Sequence, residues 1–305
     1  MIKEARRDDK GVVYELWKQA YPSSEQKYLN FYFRNYYDKG KTLVQCQDHR
    51  IVSSLAMNSH VLQFHGKLLN VSYILGISTL PDYRRRGHMK ELLDQAIDEA
   101  SHNHLITLVK AFNPKLYEPF GFSVVYERKN YLIHHESLDG IQETTFTKEV
   151  ATAKELLAIY EQFTRLFDGY YKRDEAYYEI LLKELELKEK HLIVYQKPDE
   201  PIKGYMIYQI KKNDFVIQEA VYLDSIVLQR MMKNCIGDFD AINIEVSQSE
   251  KLEKIFPLAN PRRKNFMMAR INNFDLFNKL YNTNVKSVEE AYQIIKKPLW
   301  LHEYY

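Results

Sequence analysis

The residues best suited to chemistry lie between Ile77 and Leu93. A β-branched and aromatic run over 69–77 leads through Ser78-Thr79-Leu80-Pro81 to the basic turn Asp82-Tyr83-Arg84-Arg85-Arg86-Gly87. A helix pattern follows at once, with Met89, Leu92, Leu93, Ala96, Ile97 and Ala100 repeating at helical spacing. The first N–H groups of a helix have no partner within it and sit at the positive end of its dipole, so this order of elements suits a pyrophosphate. Gly87 lets the backbone come close to such a ligand, and arginines beside the turn add charge that reaches a further phosphate. Charge alone reads as a solvated loop; the order of strand, Arg-x-x-Gly turn and helix asks for more.

Alternating strands and helices must hold this turn. Extended segments are expected over 2–5, 42–46, 51–64, 69–77, 105–111 and 122–133, and helices over 11–20, 25–37 and, briefly, 114–119. The polar, glycine-containing stretch 134–140 reads as a linker. Beyond it, helices are expected over 148–167, 174–188 and 225–235, and strands over 191–196, 202–210, 215–221, 241–246 and 266–271. A chain of 305 residues with 45% hydrophobic residues fits two folded domains, and disorder is a poor reading. Lys plus Arg number 43 against 41 for Asp plus Glu, so the balance asks for no nucleic acid and no membrane partner. Cys46 and Cys235 stand far apart and lack zinc-site spacing, so no metal is expected, and charges at the N-terminus replace the apolar core of a signal peptide. A cytoplasmic protein is expected.

The turn resembles the coenzyme A motif of the Gcn5-related N-acetyltransferase (GNAT) superfamily, Arg/Gln-x-x-Gly-x-Gly/Ala. Arg84 and Gly87 match, and Met89 departs from the usual small residue. Downstream, Asn113-Pro114-Lys115-Leu116-Tyr117-Glu118-Pro119-Phe120-Gly121-Phe122 places a tyrosine followed after two residues by Phe-Gly-Phe, as in that family. The resemblance implies a cofactor site of Ile77, Ser78, Thr79, Arg84, Arg85, Arg86, Gly87, His88, Met89 and Asn113, taking acetyl-CoA as acetyl donor. The backbone of 77–79 would polarise the thioester carbonyl. Tyr117 would protonate the leaving thiolate, against the plainer reading of a core tyrosine. Asn113 also reads as a helix cap.

The likeness extends further, through Gly169-Tyr170-Tyr171-Lys172-Arg173, Gly204-Tyr205-Met206-Ile207-Tyr208 and Met267-Met268-Ala269-Arg270-Ile271, to the enhanced-intracellular-survival (Eis)-like acetyltransferases. The fold class implied is α+β: tandem GNAT-like domains, each a mixed, mostly antiparallel sheet flanked by helices. Residues 1–135 would be catalytic, 141–280 a second domain lacking the coenzyme motif, and 281–305 a short tail left from a sterol-carrier-like domain. By the same resemblance the Tyr305 carboxylate would take the amine's proton. The expected reaction is direct attack by a primary amine, of a small molecule or a lysine side chain, on acetyl-CoA; a homo-oligomer is allowed. The aromatic stripes Tyr14, Trp17 and Phe31 to Phe33 would wall the acceptor pocket or simply be core. A non-catalytic acyl-CoA binder is the chief alternative.

Overall fold

The computed structural model describes residues 1–21, 26–110, 113–187, 190–211 and 214–302. In chain order the elements are β1 (Ile2–Glu4), α1 (Lys10–Ala20), α2 (Gln26–Asn35), β2 (Lys41–Gln47), β3 (Arg50–Phe64), β4 (Lys67–Thr79), α3 (His88–Asn103), β5 (Ile106–Val109) and β6 (Ser123–His134). There follow β7 (Thr147–Lys148), α4 (Ala153–Phe163), β8 (Gly169–Tyr171), α5 (Glu175–Leu187), β9 (Lys190–Tyr195), β10 (Gly204–Lys211), β11 (Asp214–Tyr222), α6 (Ser225–Ile236) and β12 (Ala241–Ser247). The last are β13 (Arg262–Ile271), α7 (Phe274–Tyr281), α8 (Val288–Gln293) and β14 (Leu299–Trp300).

Two compact units result. The first joins Met1–Val125 to Phe266–Ile295, and its strands run in the order β1-β2-β3-β4-β5-β13. All neighbours are antiparallel except β4 and β5. Alternation along the strands divides the core between two faces. Val44, Val52 and Ala56 pack with Val13, Leu16 and Trp17 of α1 and Leu29, Tyr32 and Phe33 of α2. Leu43, Leu55, Met57 and Ile74 pack instead with Leu92, Leu93 and Ala96 of α3. Phe277, Tyr281 and Tyr292, from α7 and α8, close around Phe64 of β3.

The second unit, Tyr126–Asn265 with Lys296–His302, carries the order β6-β12-β11-β10-β9-β7, with only β11 and β12 parallel in that series. α4 and α5 cover one face and α6 the other. Each unit is thus a mixed, mostly antiparallel sheet flanked by helices. The stretch 134–140, polar enough to read as a linker, ends β6 and forms a 3₁₀ turn over His135–Leu138, and Leu138 is fully buried in this core. Residues 281–295, read as a tail, belong to the first unit.

One ionic interaction organises the second unit. Arg173 meets Glu219 in two parallel bonds of 2.9 and 3.0 Å, both side chains shut from solvent. Tyr205 donates to the same carboxylate at 2.6 Å, and the rings of Tyr160 and Trp300 lie 4.5 and 5.4 Å from the guanidinium. The second guanidinium nitrogen donates to the His302 carbonyl at 2.8 Å, so the pair also ties down β14, which lies parallel to β8. Removing one member of such a pair leaves a buried charge without its partner. Arg173→Met is expected to lower unfolding free energy by about 3–5 kcal/mol in urea titrations, and a loss below about 1 kcal/mol would show that the pair contributes little.

Candidate functional site

The site begins with a defect in a strand. β3 and β4 pair Ser54 with Ser78 and Ala56 with Leu75, so Gly76 and Ile77 together face Leu55 alone. This is a β-bulge, and bulges bend the strand that carries the extra residue. Gly76 takes φ +63°, and a Cβ there would lie 1.8 Å from the Trp17 ring. Trp17 is held over it by a 3.0 Å bond from its indole nitrogen to Ser54 Oγ. The parallel ladder with β5 runs through Ser72–Thr107, Tyr73–Leu108 and Ile74–Val109, and among the described residues it stops there, one residue short of Leu75 and two short of the bulge. Among the described residues, β4 past Ile74 thus has one backbone edge that β5 does not pair. Ile77, Ser78 and Thr79 lie on that stretch. Ser53 Oγ donates to the Ser78 carbonyl at 2.8 Å on the opposite, β3 side, and the Ser78 hydroxyl is buried without a hydrogen-bond partner.

The turn after β4 delivers α3 with its N-terminus uncovered. Gly87 precedes the helix at φ +90° with no side chain capping it, and a Cβ there would meet nothing nearer than Glu91 Oε1 at 4.0 Å. Arg84, Arg85 and Arg86 are all exposed. Arg84 Nε donates to the Thr79 carbonyl at 3.2 Å, Arg85 has φ +61°, and the Arg86 guanidinium lies 5.3 Å from the Tyr83 ring. His88 is buried, and neither ring nitrogen has a hydrogen-bond partner. Met89 turns inward: it is half-buried and packs on the cluster containing Leu92, Leu93, Val109 and Phe122. A bulky residue in the place of a small one thus leaves the helix end open.

Ile77 and Tyr117 pack on that same cluster, which brings three of the expected site positions to one piece of core. Tyr117 joins two 3₁₀ turns, Pro114–Leu116 and Glu118–Phe120, each opened by a proline-preset backbone. Its ring meets Phe122 edge-on at 6.1 Å, and burial raises its phenol above the ordinary value. Asn113 is exposed, and its side chain caps neither turn, so the capping reading is not what the structure has. Tyr305 lies outside the described residues. Trp17, Phe31, Tyr32 and Phe33 are buried in the core of the first unit, leaving Tyr14 as the partly exposed member of that stripe. Burial pushes the Cys235 thiol up to about 12, so it is no thiolate nucleophile near neutral pH. No cluster of His, Cys, Asp or Glu suited to a metal occurs among the described residues. Nor is any helix among them long and apolar enough to cross a membrane.

The second unit repeats the device and fills it. Its parallel ladder ends at Ile217–Ile244, next to a bulge that leaves Gln218 unopposed between Ile207–Glu219 and Tyr208–Ile217. Arg128 occupies the gap: one nitrogen donates to the carbonyls of Gln218 at 3.1 Å and Glu245 at 2.7 Å, and the other meets the Glu245 carboxylate at 2.9 Å. The helix that follows, α6, is capped by Asp224, whose carboxylate accepts from the Val227 N–H at 2.9 Å. An anionic cap takes up one of the free N–H groups and repels a second anion.

Residues 1–125 and 169–271 each match a family model described as an acetyltransferase (GNAT) domain. No curated protein matches the chain. Among solved structures, a conserved protein of unknown function from Enterococcus faecalis V583, given as a probable N-acyltransferase, aligns with TM-score 0.78 and 18% identity over 89% of this chain and 72% of that one. A GCN5-related N-acetyltransferase from Anabaena variabilis aligns with TM-score 0.72 and 18% identity over 90% and 73%. Eis1 from Mycobacterium abscessus aligns with TM-score 0.69 and 14% identity over 92% and 75%. At these identities the likeness is one of fold.

Both the left-handed backbone and the ring contact forbid a side chain at position 76. Gly76→Ala is expected to cost about 2–4 kcal/mol, from strain at positive φ and from displacing Trp17. Thermal or urea unfolding measures it, and a cost under about 1 kcal/mol would show that the bulge relaxes freely.

Proposed function

Because the chain carries two acetyltransferase (GNAT) domains in tandem, which makes it an acyltransferase, we propose that its first unit transfers an acetyl group from acetyl-CoA to a primary amine of a small molecule or a lysine side chain. The observation that carries this reading is the uncapped N-terminus of α3 at Gly87, flanked by three exposed arginines, after a strand whose last residues are not paired with β5 among the described residues. Pyrophosphate would rest on the N–H groups of the first helical turn, with His88 and Met89 contributing backbone. The acyl-pantetheine arm would lie along Ile77 to Thr79, whose N–H groups polarise the thioester carbonyl. The amine nitrogen attacks that carbonyl carbon, the C–S bond breaks, and the Tyr117 phenol gives its proton to the departing thiolate. Tyr305 is the group proposed to take the proton that the amine loses. With Arg128 and Asp224 in the corresponding places, the second unit takes no coenzyme.

The raised phenol of Tyr117 supports its part. A raised value keeps the proton on the oxygen through neutral and mildly basic pH, so the acid form is lost only as pH climbs through that raised value.

Calorimetric titration is expected to give one acetyl-CoA site per chain, with affinity about a hundredfold weaker in Arg84→Ala, Gly87→Glu. Two sites, or equal binding by that folded variant, would displace the coenzyme from this turn. Tyr117→Phe is expected to lower kcat about a hundredfold at unchanged acetyl-CoA affinity, with wild-type kcat holding level from neutral pH to about 10. A chain without Tyr304 and Tyr305 should bind acetyl-CoA normally and turn over more slowly; full turnover would remove Tyr305 from the scheme.

A further inference from the structure

The turn that carries Tyr117 is held within itself by short-range backbone bonds. Its two 3₁₀ turns are held by two backbone bonds each: Leu116 N–H to the Asn113 carbonyl at 3.2 Å and Tyr117 N–H to the Pro114 carbonyl at 2.8 Å, then Phe120 N–H to the Tyr117 carbonyl and Gly121 N–H to the Glu118 carbonyl, both at 3.0 Å. Such short turns have poor hydrogen-bond geometry, and Tyr117 makes its ring contact with Phe122 from the next strand. The long-range bond at the far end of the turn comes from Arg270, 150 residues away in β13.

Arg270 Nε donates to the Phe120 carbonyl at 3.0 Å, the last carbonyl of the second turn. Its stem lies flat over Gly121, which takes φ +79°; a Cβ there would sit 3.6 Å from Arg270 Nε and 4.0 Å from Cδ and Cγ. A second guanidinium nitrogen donates to Asn272 Oδ1 at 2.6 Å. Asn272 is fixed in turn to β5, its amide donating to the His104 carbonyl at 2.7 Å and to Thr107 Oγ1 at 2.9 Å. Thr107 belongs to the ladder that pairs β5 with β4 on one side and with β13 on the other, where it faces Arg270 itself. An unbroken series of directional bonds thus runs from the strand bordering the open edge of β4, through Asn272 and Arg270, to the turn bearing the phenol. A planar guanidinium with its donors in a fixed fork transmits both distance and orientation, which a point-charge ammonium does not.

We propose that Arg270 is a positioning residue for the proton transfer by Tyr117: it holds the phenol where the leaving thiolate forms, without touching substrate. This rests on the acid role given to Tyr117 above. Misplacing a reacting group by about 1 Å costs up to about a hundredfold in rate, while coenzyme binding at the α3 turn has no share in this series of bonds.

The test is a double-mutant cycle in the full-length chain between Arg270→Met and Tyr117→Phe, reading kcat with an amine acceptor and acetyl-CoA affinity by titration. Arg270→Met is expected to lower kcat about tenfold with acetyl-CoA affinity unchanged, Arg270→Lys to recover part of that loss, and Arg270→Met to cost less than about twofold once Tyr117 is phenylalanine. Where Arg270→Met melts too low to assay, the same cycle is run with Arg270→Lys. An equal loss in both tyrosine and phenylalanine backgrounds, or no loss in either, overturns the inference while leaving Tyr117 as the acid. Full turnover by Tyr117→Phe alone would instead remove the acid role, and this inference with it.

Discussion

The first unit depends on one local constraint, the requirement that residue 76 be a glycine under the ring of Trp17. The left-handed backbone there inserts an extra residue opposite Leu55, and the insertion falls just where β4 ceases to pair with β5. A parallel strand that continued in register would have spent its N–H and C=O groups on its neighbour. Among the described residues, β4 past Ile74 does not spend those groups on β5, while its other edge remains bonded to β3. Trp17 then serves two ends at once: its ring fills the space over a residue with no side chain, and its indole N–H is satisfied by Ser54 on the strand opposite the bulge. The buried aromatic helix face is thereby part of the device that opens the edge.

The second unit shows what the same geometry becomes when the opening is not left free. A bulge and a truncated parallel ladder recur at Gln218 and Ile217–Ile244, yet the carbonyls that would face the gap are taken by Arg128. Where α3 starts at a bare glycine, α6 starts at a carboxylate already bonded to its first turn. Each difference is a single residue acting on the same backbone groups, and each removes one of the two features that favour a long anionic ligand. The fold alone is therefore silent about binding, and these two side chains are what set the units apart at these positions.

Much of the local structure is legible in the chain. The spacing of Leu92, Leu93 and Ala96 marks α3, and the Arg-x-x-Gly turn falls where the strand-to-helix junction is found, because these features are set within a dozen residues. Met89 departs from the motif, but a motif records which residue stands at a position and not which way it points. Asn113 misled for a related reason: a good cap residue beside a proline needs a helix long enough to need capping, and only a 3₁₀ turn follows. The late strand over 266–271 was visible as a strand, but nothing in its composition reveals that it pairs with β5, some 160 residues earlier. Pairings of that range are decided by which edges remain free once the sheets form, and periodicity carries no record of them.

That long-range pairing changes what counts as a domain in this chain. By composition the first domain would close near residue 135. The compact unit instead lacks one strand until Phe266–Ile271 has joined it, and the carbonyl of Phe120 lacks its guanidinium until then. A fragment ending at 135 would present the edge of β5 unpaired and leave the Tyr117 turn without its outer anchor, and open strand edges invite wrong partners. The second unit is completed late in the same way, by the return of residues 296–302 to the Arg173–Glu219 pair. Contacts of such separation form only after a large loop has closed, which slows folding. The matched segments 1–125 and 169–271 therefore do not coincide with the compact units, since 266–271 falls in the second match and in the first unit.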